Sequence, residues 1–237
     1  MALTVVQARN DLLSILGYLD VADAPAQALQ DIAVALSGAM QMLQTAGEEF
    51  FTEELLTVTL GAGTAIYSVD RGVQAVVGPA LLNGVQPLSG LDSKGEYDQF
   101  DRIYLGLQGF GAQVGTPMAY WVQNTRSGTT GDINRIQLFL APTPLSDGFV
   151  TMYVIYEAPS YDVADLTSTD ELPVAQNYTE SIFLPIARML VTRSALFSRP
   201  DILGQLQGDA GTAYQRLGFN GGFPNAEQPL PERKTEG

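Results

Sequence analysis

Apolar residues recur at two different spacings along this chain, and the change of spacing divides it into three stretches. Over residues 3–19, Leu12, Ile15, Leu16 and Leu19 fall on one side of a short helix. A second helix is expected from Asp23-Ala24-Pro25 to about Ala46. Asp at the N-cap accepts hydrogen bonds from the first free backbone N–H groups, and Pro in the first turn loses nothing by having no N–H. Leu29, Ile32, Ala33, Leu36, Met40 and Leu43 then repeat at intervals of three and four, which is one apolar face. Ala28, Ala35, Gly38 and Ala39 are small enough to admit another helix at close range, and Gly47 stands where a C-terminal stop belongs.

From residue 52 the period drops to two. Leu56, Val58 and Leu60 alternate with Thr57 and Thr59, as in a half-buried strand. Gly61-Ala62-Gly63 and the return Ala65–Val69 predict a β-hairpin. Val73–Val77 is a third strand, and Asn83-Gly84 between apolar residues predicts a second hairpin. Residues 92–105 are read as a short helix or helical turn, and residues 106–117 as a glycine-rich loop. Ala119–Gln123, Ile136–Leu140 and Phe149–Tyr156 are further strands. The last two are almost continuously apolar, which predicts central strands covered on both faces. Residues 159–175 are a polar connection. Helical spacing returns from about Asn177, where Ile182, Ile186, Met189, Leu190 and Arg193 share a face and Pro185 is expected to kink the helix. Asp201 is expected to cap a final helix carrying Leu203, Leu206, Tyr214 and Leu217. Residues 218–237 have Pro and Gly but no period, which predicts an extended tail. Strands between runs of helices give an α+β fold.

Composition narrows the chemistry. The 237 residues contain no Cys and no His, so disulfides, thiolate nucleophiles and Ser–His triads are excluded, and any catalysis would fall to carboxylates, Lys or Tyr. Acidic residues outnumber basic ones 26 to 12, for a net charge of −14. Such a surface repels phosphate backbones, which disfavours tight DNA binding and suits either solubility or the wall of a conduit that DNA slides past. The first residues have no basic stretch leading into an apolar core, and no run of about 18 apolar residues occurs. A protein made in the cytoplasm, without a membrane partner, is therefore expected.

Each candidate site competes with a plainer reading. Glu96, Asp98 and Asp101 could supply two carboxylates for glycan hydrolysis, but their spacing beside Arg102 is that of a solvated helix face. Asp162, Asp165, Asp170 and Glu171 could bind calcium, but lack the alternating ligands and central Gly of an EF-hand loop. Gly109, Gly111 and Gly115 do not make a dinucleotide fingerprint, and no P-loop is present. No catalytic residue, metal ligand or cofactor is therefore assigned. Arg188, Arg193 and Arg199 concentrate positive charge on the C-terminal helices, where they would meet an acidic partner or another copy, or simply sit well near helix C-termini. Phe219, Phe223 and Leu230 are isolated apolar residues in the tail, suited to anchoring on a partner.

Four features in order resemble the head-to-tail adaptor family of tailed bacteriophages, which includes the podophage tail tubular protein A. They are the N-terminal helical pair followed by TVTLGAGTAIYSV at 57–69, AYWVQNT at 119–125, INRIQLFLAPTP at 133–144 followed by FVTMYVIYEAP at 149–159, and an acidic link to ELP at 171–173 before a long helix. The resemblance covers roughly residues 1–215. It implies a helical domain built from both chain ends, residues 1–50 and 161–217, packed on a small antiparallel β-domain at 51–160. It also implies a ring of copies, commonly twelve, beneath the portal protein, which extends the DNA channel and offers a platform to a tail tube or nozzle protein. DNA would be passing cargo, and the tail at 218–237 would reach the portal. The rival readings are another virion component, such as a stopper, tail-completion or minor tail protein, and a carboxylate-based cell-wall glycan hydrolase.

Overall fold

The computed structural model describes residues 3–69, 72–100, 114–125 and 135–219. In chain order the elements are α1 (Val5–Leu16), α2 (Ala26–Ala46), β1 (Glu54–Leu60), β2 (Ile66–Val69), β3 (Val73–Leu82), β4 (Gln86–Pro87) and β5 (Ser89–Leu91). A helix at residues 94–100 follows and is labelled α3. The remainder are β6 (Val114–Gly115), β7 (Ala119–Thr125), β8 (Arg135–Ala141), β9 (Thr143–Pro144), β10 (Gly148–Tyr156), α4 (Gln176–Tyr178), α5 (Leu184–Val191) and α6 (Pro200–Arg216). The fold is α+β, and the chain divides into two compact units, Met1–Thr52 with Ala158–Gly237, and Glu53–Glu157. Among the described residues, no helix is long and apolar enough to cross a membrane.

The first unit is helical and takes its helices from both ends of the chain. Thr4 begins α1 with a reciprocal cap: its Oγ1 accepts from Gln7 N–H at 3.3 Å, and Gln7 Oε1 accepts from Thr4 N–H at 2.9 Å. Gly17 ends α1 in the left-handed region at φ 91°, which leaves Leu19 beyond the helix and fully exposed rather than on its apolar face. The start of α2 also differs from expectation. Ala24 precedes a proline and is driven into extended backbone, so Asp23 falls in a separate 3-10 turn and Pro25 takes the cap position. Gly47 closes α2, but with extended backbone at φ 166°. The small face of α2 is occupied within the chain: Ala28, Ala35 and Ala39 are buried, and α2 packs on α5.

Pro185 acts one turn upstream of itself. It has no N–H to give the carbonyl of Ser181, and the chain runs as π-helix over Thr179–Phe183 before α5 resumes regular winding. Asp201 is not the cap of α6. Pro200 opens that helix, Arg199 sits at the cap position, and Asp201 lies in the first turn, where a negative charge faces the helix N-terminus. The core gathers Leu12, Ile32, Leu36, Met40, Phe183 and Ile186, all essentially inaccessible.

The segment read as a polar connection is sewn into this unit. Glu171 bridges Thr4, Val174 bridges Phe51, and Leu166, Leu172 and Val174 are buried.

The second unit is a pair of four-stranded sheets, ordered β1-β10-β3-β4 and β2-β8-β7-β5, with a small β6-β9 pair. Leu60, Leu82, Leu138, Leu140, Val150 and Met152 belong to the core cluster, fed by the inward positions of both sheets. The expected hairpin at 57–69 is not one. β1 pairs with β10 and β2 with β8, so Gly61–Gly63 carries the chain from one sheet to the other. The Asn83-Gly84 hairpin does form, with φ 50° and 73° at the two turn residues. Pairing is antiparallel except for β5 with β7 and β6 with β9, which are parallel. β8 and β10 are central as expected, but the outer face of β10 is covered only towards its end: Val150, Met152 and Val154 are buried on the inner face and Ile155 on the outer one, while Phe149 and Tyr153 are exposed.

Candidate interaction surfaces

The three arginines have different surroundings. Arg188 lies on α5 and grips Asp11 of α1 through Nε and Nη2, at 2.7 and 2.8 Å. The pair is half-buried, and the hydrogen bonds that Arg188 donates to Asp11 hold the guanidinium pKa above its ordinary value against the opposing effect of burial. Arg188 thus makes an internal ion pair between the two helices. Arg193 is half-buried two residues beyond α5, and burial pulls its pKa down. Arg199 donates from Nη2 to Asp201 at 3.1 Å across the first turn of α6, and this bond, with the Arg199 charge, holds the exposed Asp201 carboxyl below its usual range.

The candidate tail anchor begins inside the helical unit. Phe219 stacks on Tyr214 of α6 with ring centroids 4.7 Å apart, and its N–H donates to the Tyr214 carbonyl. Phe223 and Leu230 lie outside the described residues.

The acidic candidates serve local structure. Glu96 Oε2 accepts from Asp92 N–H at 3.0 Å while Ser93 Oγ accepts from Glu96 N–H at 3.2 Å, a box that starts α3. Asp98 is exposed, and Asp101 lies outside the described residues. Asp162 Oδ1 accepts from the N–H groups of Ala164 and Asp165, and Asp165 Oδ2 accepts from Asp162 N–H, so these two carboxylates shape a turn. Among the described residues no group of three or more acidic side chains is arranged to hold a metal ion. Gly109 and Gly111 are outside the described residues, and Gly115 lies in β6.

Two surfaces of the β unit stand out that periodicity did not single out. The outer faces of the two large sheets are treated differently. On β7 and β8, Trp121 and Phe139 are adjacent at 4.7 Å, and Tyr97 of α3 roofs them, with its ring 5.6 Å from Phe139 and its Oη donating to the Leu140 carbonyl at 3.1 Å. Among the described residues, the other sheet has no such aromatic roof over its central row. Leu55, Tyr153 and Val77 sit side by side across β1, β10 and β3, with Leu55 57% and Tyr153 52% exposed. The next row, Thr57, Thr151 and Leu81, is also uncharged.

The second surface is one end of the same unit. Gly63 N–H donates to the Pro144 carbonyl, Leu145 N–H to Gly115, and Gln86 Nε2 to Pro117. Asn83 Oδ1 accepts from Phe149 N–H at 3.1 Å, and Ala62 N–H donates to Asp147 Oδ1 at 2.9 Å. Four loops are thereby knitted together, and they present Val85 (81% exposed), Leu145 (68%) and Met118 (48%). Asp147 is the only charged residue in 61–65, 83–90, 114–119 and 141–149.

Compared with known proteins, the chain matches no family profile, and no curated protein sequence matches it.

Proposed function

We propose that this chain is a structural virion protein of a tailed-phage neck, a head-to-tail adaptor that forms a ring under the portal, extends the DNA channel and docks tail components. The observation that carries the reading is the layout of the chain. One helical unit takes α1 and α2 from the start and α5 and α6 from the end, and a β unit is inserted between them. That is the layout the resemblance implies. Net charge supports the channel role, because a chain with a net charge of −14 repels passing DNA and keeps it from sticking. Repetition around a ring would turn individually weak contacts into a durable assembly. Of the carboxylates in the rival hydrolase reading, Glu96 is engaged in the cap of α3.

Native mass measurement of the purified chain mixed with portal rings from the same source tests the proposal. A discrete added mass equal to one ring of this chain is expected. No added mass overturns the portal-docking role and leaves the chain as a tail-side virion component.

A further inference from the structure

Helix α6 is built to hold on weakly. Gly204, Gly208 and Gly211 stand in its interior, spaced by four and three residues and so on one side. A Cβ at any of the three would meet nothing within 4 Å, and none of them lies in the left-handed region. Neither backbone conformation nor a close neighbour among the described residues therefore calls for glycine there. Each one weakens the helix about fivefold relative to Ala, and the three together roughly a hundredfold, through backbone entropy and hydrogen bonds left open to water. Little apolar burial offsets this. The buried residues of α6 are Leu206, Ala210, Ala213 and Tyr214, whereas α2 buries Ile32, Leu36, Met40, Met42 and Leu43 among others.

The packing around α6 has a natural boundary. α6 rests chiefly on α5 and on the π-helical turn before it, and the hydrogen bonds of Arg199 with Asp201 and of Thr212 with Gly208 stay within α6 and its cap. α5, by contrast, is tied to α1 through Arg188 and Asp11 and packs on α2. The ties end just short of α6. Ser194 Oγ donates to the Asp31 carboxylate of α2 and accepts from Leu196 N–H at 3.0 Å, which pins the turn after α5. Arg199, ahead of Pro200, has non-helical backbone at φ −115° and ψ 70°, so α6 is not wound continuously from α5. We infer that α6 is a detachable helix, which opens as one unit about residues 195–199 while α1, α2 and α5 stay packed. Elements with little apolar burial and exposed backbone hydrogen bonds open well below the cost of global unfolding. Opening frees two surfaces at once, Leu206 and Tyr214 on the helix and the side of α5 that α6 covers, so α6 is the element through which this unit changes what it presents. The inference concerns the helical unit alone and stands apart from the adaptor reading.

Native-state hydrogen exchange of the full chain, followed residue by residue through low urea, tests this. The amides of residues 205–216 are expected to share one opening constant, about a hundredfold or more larger than that of Leu36 and Met40 in α2. Their urea dependence is expected to be shallower, because a local opening exposes less surface. Gly204→Ala combined with Gly208→Ala and Gly211→Ala is expected to slow exchange at 205–216 roughly a hundredfold. Exchange at 205–216 with the same constant and urea slope as Leu36 and Met40 overturns the inference, since α6 then leaves only when the whole fold does. Constants that grade smoothly back from residue 216 overturn it as well, because the chain end is then fraying and no helix opens as a unit. Unchanged exchange in the triple variant also overturns it, because the glycines would not be what loosens the helix.

Discussion

Arg188 of α5 holds Asp11 of α1 with two parallel hydrogen bonds, and so fastens a helix from near the end of the chain to one from its beginning. Each side chain is 29% exposed, so the pair is neither free in water nor fully desolvated. Charge-assisted pairs of this kind contribute about 1–2 kcal/mol once solvent screening is allowed for. Arg188→Ala is expected to lower stability by roughly that amount in urea unfolding. A double-mutant cycle with Asp11→Ala should recover a coupling of about 1 kcal/mol. A coupling near zero would mean that the geometry carries no net stabilisation.

The Asn83-Gly84 turn sets the register of β3 with β4 and supports the loop end. Gly84 lies at φ 73°, a region that costs an L-residue about 1 kcal/mol. A Cβ there would meet only the Phe149 ring at 3.9 Å, which is ordinary contact. Gly84→Ala should therefore lower stability by about 1 kcal/mol through backbone strain alone, and a crystal structure of the variant should keep the same turn.

Tyr161 is pushed well above its usual phenol range, chiefly by burial and then by the charges of Asp165 and Asp170. A group whose folded pKa is raised stabilises the fold fully below its unfolded pKa, and that stability is lost as pH rises through the folded value. Stability is expected to fall above about pH 10, and Tyr161→Phe should flatten the fall. Urea midpoints measured from pH 8 to 11 check this, and identical slopes in the two proteins would remove Tyr161 as the cause.

Asp201 shows the opposite sign. Its carboxyl sits below its ordinary 3.8 because Arg199 donates a hydrogen bond to it, helped by the Arg199 charge. Its contribution to the first turn of α6 is present above the unfolded pKa and is lost as pH falls through the depressed folded one. Carbon-13 NMR titration should find the carboxyl titrating low in the wild type and returning towards its ordinary value in Arg199→Ala.

Much of this architecture was legible from period alone. The helix of 21 residues at Ala26–Ala46 and strands β1, β7, β8 and β10 declare themselves because tertiary packing reinforces their local pattern. What failed did so for identifiable reasons. The chain at 57–69 has the turn glycines and alternation of a hairpin, but strand partners are chosen by non-local pairing, and β1 found β10. Asp23 and Asp201 are good capping residues, displaced by neighbouring prolines that fix where helical backbone can begin. Of the candidate contact residues, Arg188 could be recognised as positively charged but not as already engaged, because Asp11 lies at the other end of the chain. The loop end was invisible in the same way: Val85, Met118 and Leu145 are far apart in sequence, and the loops that carry them are joined by long-range backbone and side-chain hydrogen bonds.

The split origin of the helical unit also orders events in time. While the chain is being made, α1 and α2 emerge first, with the apolar side of α2 uncovered, because α5, which packs on it, is encoded from Leu184 onward. At about 5–20 residues per second, synthesis from Ala46 to Leu184 takes on the order of ten seconds. Throughout that interval the β unit, closed by Tyr156, can finish folding before the helices that flank it in sequence have met. A nascent chain would thus hold a completed β unit before it holds a completed helical one.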